Sequence, residues 1–75
     1  MFTAELDISY ETSQADVLAF AAERNCGAFL IQEFGPGGGN PVYKFVSNSY
    51  QKLYDLVLEI LEDEELAAEL IVQLV

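Results

Sequence analysis

The stretch Glu64-Glu65-Leu66-Ala67-Ala68-Glu69-Leu70-Ile71-Val72-Gln73-Leu74-Val75 decides the fold. Read with period two, Ala68, Leu70, Val72 and Leu74 alternate with Glu69, Ile71, Gln73 and Val75, as in a strand. Read with a helical period, Leu66, Ala67, Leu70, Ile71 and Leu74 form one stripe. Glu64 to Leu70 is rich in helix formers, whereas Ile71-Val72 favours extended backbone. A strand over 68–75 is the expectation, with a helix over 64–75 as the alternative.

Upstream, Leu53, Leu56, Val57, Ile60 and Leu61 recur at i, i+3, i+4, i+7 and i+8, the clearest helix of the chain. Ser47-Asn48-Ser49 offers its N-cap, with Asn48 and Gln51 spaced for mutual capping. Val42 to Val46 and Ala28 to Phe34 read as strands joined by the loop Gly35-Pro-Gly-Gly-Gly-Asn-Pro41, hence a hairpin. Tyr43 and Phe45 are expected to face inward. In residues 2–10, Phe2, Ala4, Leu6, Ile8 and Tyr10 alternate with polar residues, a strand with one buried face. Ser13-Gln-Ala-Asp16 opens a helix that runs to about Arg24, with Val17, Leu18, Phe20 and Ala21 inward and Gly27 as its left-handed terminator.

The order strand-helix-strand-strand-helix-strand predicts an α+β fold. It is a ferredoxin-like βαββαβ sandwich with two helices on one face of a four-stranded antiparallel sheet. A helical C-terminus gives βαββαα with a three-stranded sheet instead. The 75 residues and 8.3 kDa make one domain, 1–75.

Charge and composition exclude several functions. Thirteen Asp and Glu stand against three Lys and Arg, a net charge of −10, with no His. Three cations cannot build the basic surface that phosphate-backbone binding needs, so no nucleic-acid partner is expected. Without His there is no His-based nucleophile activation and no His metal site, and one Cys closes neither a disulfide nor a cysteine zinc site. Asp63-Glu64-Glu65 lacks the spacing of a calcium loop. No catalytic residues, metal or cofactor are expected. No apolar run approaches the roughly 18 residues of a membrane span. Met1-Phe2-Thr3-Ala4-Glu5 shows no leader pattern. With Cys26 unpaired, a cytoplasmic location is the expectation, the host cytoplasm for a viral protein.

The element order resembles ferredoxin-like domains such as the RRM and ACT modules, over the whole chain and without a family motif. RRMs read RNA with aromatic and basic residues on the sheet, where this chain places Thr3, Glu5, Asp7 and Ser9. The segment Gly35-Pro-Gly-Gly-Gly-Asn-Pro-Val-Tyr43 is similar to small uncharacterised phage-encoded proteins, which implies a viral origin and no particular site.

Glu59, Glu62, Asp63, Glu64, Glu65 and Glu69 place six acids within eleven residues. Acids at a helix C-terminus oppose the macrodipole, unless they cap a following helix, where they are favourable. Tyr50, Tyr54 and Leu58 form an i, i+4, i+8 ridge beside the core stripe; they pack inside the domain or meet a partner. On the uncovered sheet face, Phe29, Ile31, Val42 and Val46 are candidates for self-association, joined by Glu33, Lys44, Ile71 and Val75. A globule of this length spans about 29 Å, and B-DNA of that length carries about 17 phosphate charges. A charge of −10 is of the same order. The resulting expectation is a non-catalytic, acidic protein-binding module. It would engage a basic protein partner through these acids and Tyr50, Tyr54 and Leu58, as a phage-type inhibitor that imitates nucleic acid. The alternative is a dimeric structural or regulatory domain that pairs through the open sheet face.

Overall fold

Alternating apolar and polar residues make β1 (Phe2–Asp7) a strand with Ala4 and Leu6 buried beneath the helices. The computed structural model to which this strand belongs describes residues 1–34 and 36–74. Expectations placed on Gly35 and Val75 lie outside the described residues. After β1 come α1 (Gln14–Glu23), β2 (Gly27–Gln32), a 3₁₀ turn (Pro36–Gly38), β3 (Val42–Ser47), α2 (Tyr50–Leu61), α3 (Glu64–Leu70) and β4 (Val72–Gln73). All strand pairings are antiparallel, in the order β2-β3-β1-β4. The fold is therefore α+β, a four-stranded antiparallel sheet with three helices among the described residues, compatible with a ferredoxin-like arrangement.

One core explains the layering. Ala4 opposes Phe45 and Leu6 opposes Tyr43 across β1 and β3; Ala28 and Leu30 oppose the same two aromatics from β2. Cross-strand partners share a face, so these side chains project together. Val17 and Ala21 of α1, Leu53, Leu56 and Val57 of α2, and Ala67 of α3 close over them. Phe45, Leu53, Leu56 and Val57 are the largest fully buried side chains.

The decisive C-terminal stretch divides between its two readings. Residues 64–70 are helical because Asp63 caps them: its carboxylate accepts the Leu66 backbone N–H at 3.0 Å, and Glu64 and Glu65 complement the positive end of the helix. The strand expected over 68–75 is thus reduced to Val72–Gln73, which pairs with Thr3 and Phe2. Leu74 N–H donates to the Met1 carbonyl at 2.8 Å and extends the pairing. The later start also moves the register. Ile71, expected on the open face, packs on the core, and Val72 takes the outward place beside Thr3.

Other expectations change for local reasons. Tyr10 is exposed instead of buried because β1 ends at Asp7 and the chain turns, with Thr12 N–H bonded to the Ser9 carbonyl. Leu18 is exposed, since α1 buries only the narrow stripe of Val17 and Ala21, flanked by Phe20. The left-handed residue after α1 is Asn25 (φ 58°), not Gly27. Gly27 serves close packing: a Cβ there would stand 2.9 Å from Val46 Cγ2. Ser13 caps α1 as expected, but α2 is capped by Ser49, which accepts from Lys52 N–H. Gln51 bonds Asp55 rather than Asn48. Strand β2 stops at Gln32, two residues short of the expected end, after a bulge between Leu30 and Gln32. Thr3, expected on a solvated face, is 7% exposed, between Val46 and Val72.

Candidate functional site

All thirteen carboxylates are exposed. Of the three cations, only Arg24 forms an ion pair among the described residues. Its Nε and Nη2 meet both Glu59 oxygens at 2.7 and 2.9 Å, Nη1 donates to the Phe20 carbonyl at 2.8 Å, and Glu23 lies 3.6 Å away. The guanidinium also stacks 3.6 Å from the centre of the Phe20 ring. The bidentate bond holds the Glu59 carboxyl below its ordinary pKa and raises that of Arg24. This cluster ties the end of α1 to α2. It removes Glu59 from the acids free to meet a partner, and no spacing in the sequence marks a pair 35 residues apart.

The remaining acids of the run occupy the α2–α3 junction. Glu62 ends α2 in the left-handed conformation (φ 55°), where its backbone N–H bonds the Leu58 carbonyl at 2.7 Å. Asp63 is the cap of α3, and Glu64 and Glu65 form its first acidic turn. Glu69 stands one turn beyond Glu65, so two like charges share a helix face. Thus Asp63, Glu64 and Glu65 do local structural work, while Glu62 and Glu69 carry charge that no helix end requires.

The aromatic ridge is anchored rather than free. Tyr50 meets Phe2 edge-on at 5.5 Å and stacks on Tyr54 at 6.0 Å. Tyr54 and Leu58 are partly buried against the core, and Tyr50 is exposed. Desolvation pushes the Tyr54 phenol up, with the nearby Glu64 carboxylate adding to the effect.

The open sheet face presents Phe29 (57% exposed) and Val72 (56%); Ile31, expected there, is exposed but lies in the β2 bulge without a cross-strand partner, and Gln32 takes the place opposite Val42. Val42 and Val46 are half-buried there. Lys44 lies between Glu5 and Phe29 in the cross-strand register, so the apolar surface is interrupted at its centre. Cys26 is buried, its thiol donating to the Arg24 carbonyl at 3.5 Å; burial pushes its pKa up, away from the thiolate a nucleophile needs.

Two concavities flank α1. One, of about 670 Å³, lies between the glycine loop and the start of α1, beside the exposed rings of Tyr10 and Phe34. The loop reaches it by a turn that places Gly37 and Gly38 at positive φ, with Asn40 Oδ1 accepting from Tyr10 N–H at 3.3 Å. The other, of about 440 Å³, opens between α1 and α2 and descends to Val17 and Phe45. Among the described residues no group of His, Cys, Asp and Glu is placed to hold a metal, and no helix is long and apolar enough to cross a membrane. No family model, curated protein or solved structure matches the chain.

Proposed function

We propose that the chain is a non-catalytic, acidic protein-binding module that engages a basic surface on another protein, as an inhibitor occupying a site made for nucleic acid. The observation that carries this reading is the uncompensated surface: thirteen exposed carboxylates, with one cation, Arg24, committed to two of them. Within principal extents of 30 × 25 × 23 Å, the net charge of −10 is of the same order as the roughly 17 phosphate charges of a duplex of similar length. The scaffold is read as a ferredoxin-like sandwich with α3 inserted before β4. In its support, β1 and β3 are adjacent at the centre, and each leads through a helix toward an edge strand.

The test is association kinetics against the partner recovered by affinity capture. Reversing Glu62, Glu65 and Glu69 to Lys moves the net charge from −10 to −4 while sparing the Asp63 cap. Association slows and its salt dependence flattens, because steering depends on the summed field, whereas dissociation changes little. A gel shift with DNA and RNA at about 100 mM salt shows no binding, since the same field repels phosphate. Unchanged association by the triple variant refutes the proposal.

A second reading, pairing of two copies through the open sheet face, rests on the exposure of Phe29 and Val72. Val72→Glu then abolishes a dimer seen by light scattering; a monomeric wild type removes this reading.

A further inference from the structure

The two edges of the sheet differ. On one side β4 ends it with two residues; on the other β2 ends it with six, Gly27 to Gln32. Among the described residues, no backbone bond other than the β3 ladder reaches β2, so its outward N–H and C=O groups have no partner in the chain. Edges of this length are commonly guarded by lysine, proline or an inward charge. Gly-Ala-Phe-Leu-Ile-Gln carries none of these, and its one irregularity is the bulge at Ile31. Charge is unevenly distributed in the same sense. Residues 25–51, which hold β2, the glycine loop and β3, carry only Glu33 and Lys44, a net of zero, so the whole charge of −10 resides in the rest of the chain. Helix α1, which packs on β2, brings only Asp16, Glu23 and the already paired Arg24 to this side.

We propose that β2 pairs antiparallel with β2 of a second copy, edge to edge, joining two four-stranded sheets into one. A basic partner is drawn to the acidic remainder of the surface, whereas a second copy, with the same charge of −10, approaches closely only through the neutral side. Residues opposed across an antiparallel pair share a face. The two-fold axis must therefore pass through a residue and its own image, or one copy would turn its core face outward. Because the strand begins at Gly27 and bulges at Ile31, the axis falls on Ala28 or Phe29. Phe29, 57% exposed in the single chain, then meets Gly27 or Phe29 of the second copy and loses water contact. Each copy has one long open edge, so pairing ends at the dimer. This arrangement is distinct from stacking of the open faces and independent of the acidic run at the α2–α3 junction.

The experiment is sedimentation equilibrium of the whole chain up to about 1 mM, with residue-level amide exchange on the same samples. The mass rises with concentration from 8.3 kDa to twice that value and no further. Alternate amides of residues 27–32 exchange more slowly as the dimer forms. Association tightens severalfold between about 0.1 and 1 M salt, as the screening length falls from about 10 to 3 Å and the two acidic bodies repel less; binding of a basic partner has the opposite salt dependence. Phe29→Glu sets like charges against the pairing strand and leaves a folded monomer, since the side chain lies outside the core. Val72→Glu, with the same change in net charge on the far edge of the sheet, stays dimeric, which stacking of the open faces would not allow. A wild type that is monomeric at the highest concentration overturns edge pairing and face stacking together and leaves the basic-partner reading standing. A dimer without added protection in 27–32, one lost equally in Val72→Glu, or one that weakens as salt rises overturns edge pairing alone.

Discussion

Asp63 tests whether the acidic run is structural at its centre. Its carboxylate accepts one N–H of α3 at 3.0 Å, and α3 contributes the fully buried Ala67 and the partly buried Leu70 to the core. Removing the acceptor with Asp63→Ala leaves that donor to water and costs about 1 kcal/mol, with a range of roughly 0.5–2. For a domain of this size, that lowers the melting temperature by about 4–8 °C. Asp63→Asn keeps an oxygen at the cap and loses only a few tenths of a kcal/mol of charge–dipole interaction. Asp63→Lys loses the cap and adds a repulsive charge, about 0.3–1 kcal/mol beyond alanine. The residue before it behaves oppositely. Glu62 holds a left-handed conformation that costs an L-residue roughly 1–2 kcal/mol, so Glu62→Gly stabilises by part of that amount. Thermal unfolding followed by circular dichroism measures the series. An unchanged melting temperature for Asp63→Ala, or equal losses for Asn and Ala, refutes the capping argument.

Gly27→Ala forces a Cβ to within 2.9 Å of Val46 Cγ2 and destabilises by about 1–3 kcal/mol; adding Val46→Ala recovers part of it in a urea-denaturation cycle. Phe45→Ala, at a fully buried position on the central strand β3, costs about 3–5 kcal/mol, a large part of the 5–15 kcal/mol a domain holds, and shows as broadened, collapsed amide spectra. The Arg24–Glu59 bond gives a pH dependence. Because the folded state depresses the Glu59 pKa, its contribution is full above the ordinary value of 4.5 and is lost as pH falls through the depressed one. Acid unfolding of Arg24→Gln therefore shows a weaker dependence below that value than wild type, and identical profiles would count against the bond.

Elements whose periodicity was unopposed were legible from the residues alone. The alternation from Phe2 to Ile8, the hairpin partners Tyr43 and Phe45, and the Leu53–Leu61 stripe all read correctly, because burying one face of a strand or helix demands that spacing. Composition likewise determined the charge, and exposure of every acid follows from the cost of desolvating an unpaired carboxylate. Residues 64–75 carried two compatible periods. The choice fell to the Asp63 cap and to a place for Ala67 against α2, contacts that exist only once α2 is packed on the sheet. The functional surfaces divide in the same way. The acidic run is legible as letters, but the split between acids that cap α3 and acids left free depends on where α2 ends. The Arg24–Glu59–Phe20 cluster and the cleft beside it join residues from distant segments. No local pattern announces them, because loop closure and helix packing, not neighbouring residues, bring them together.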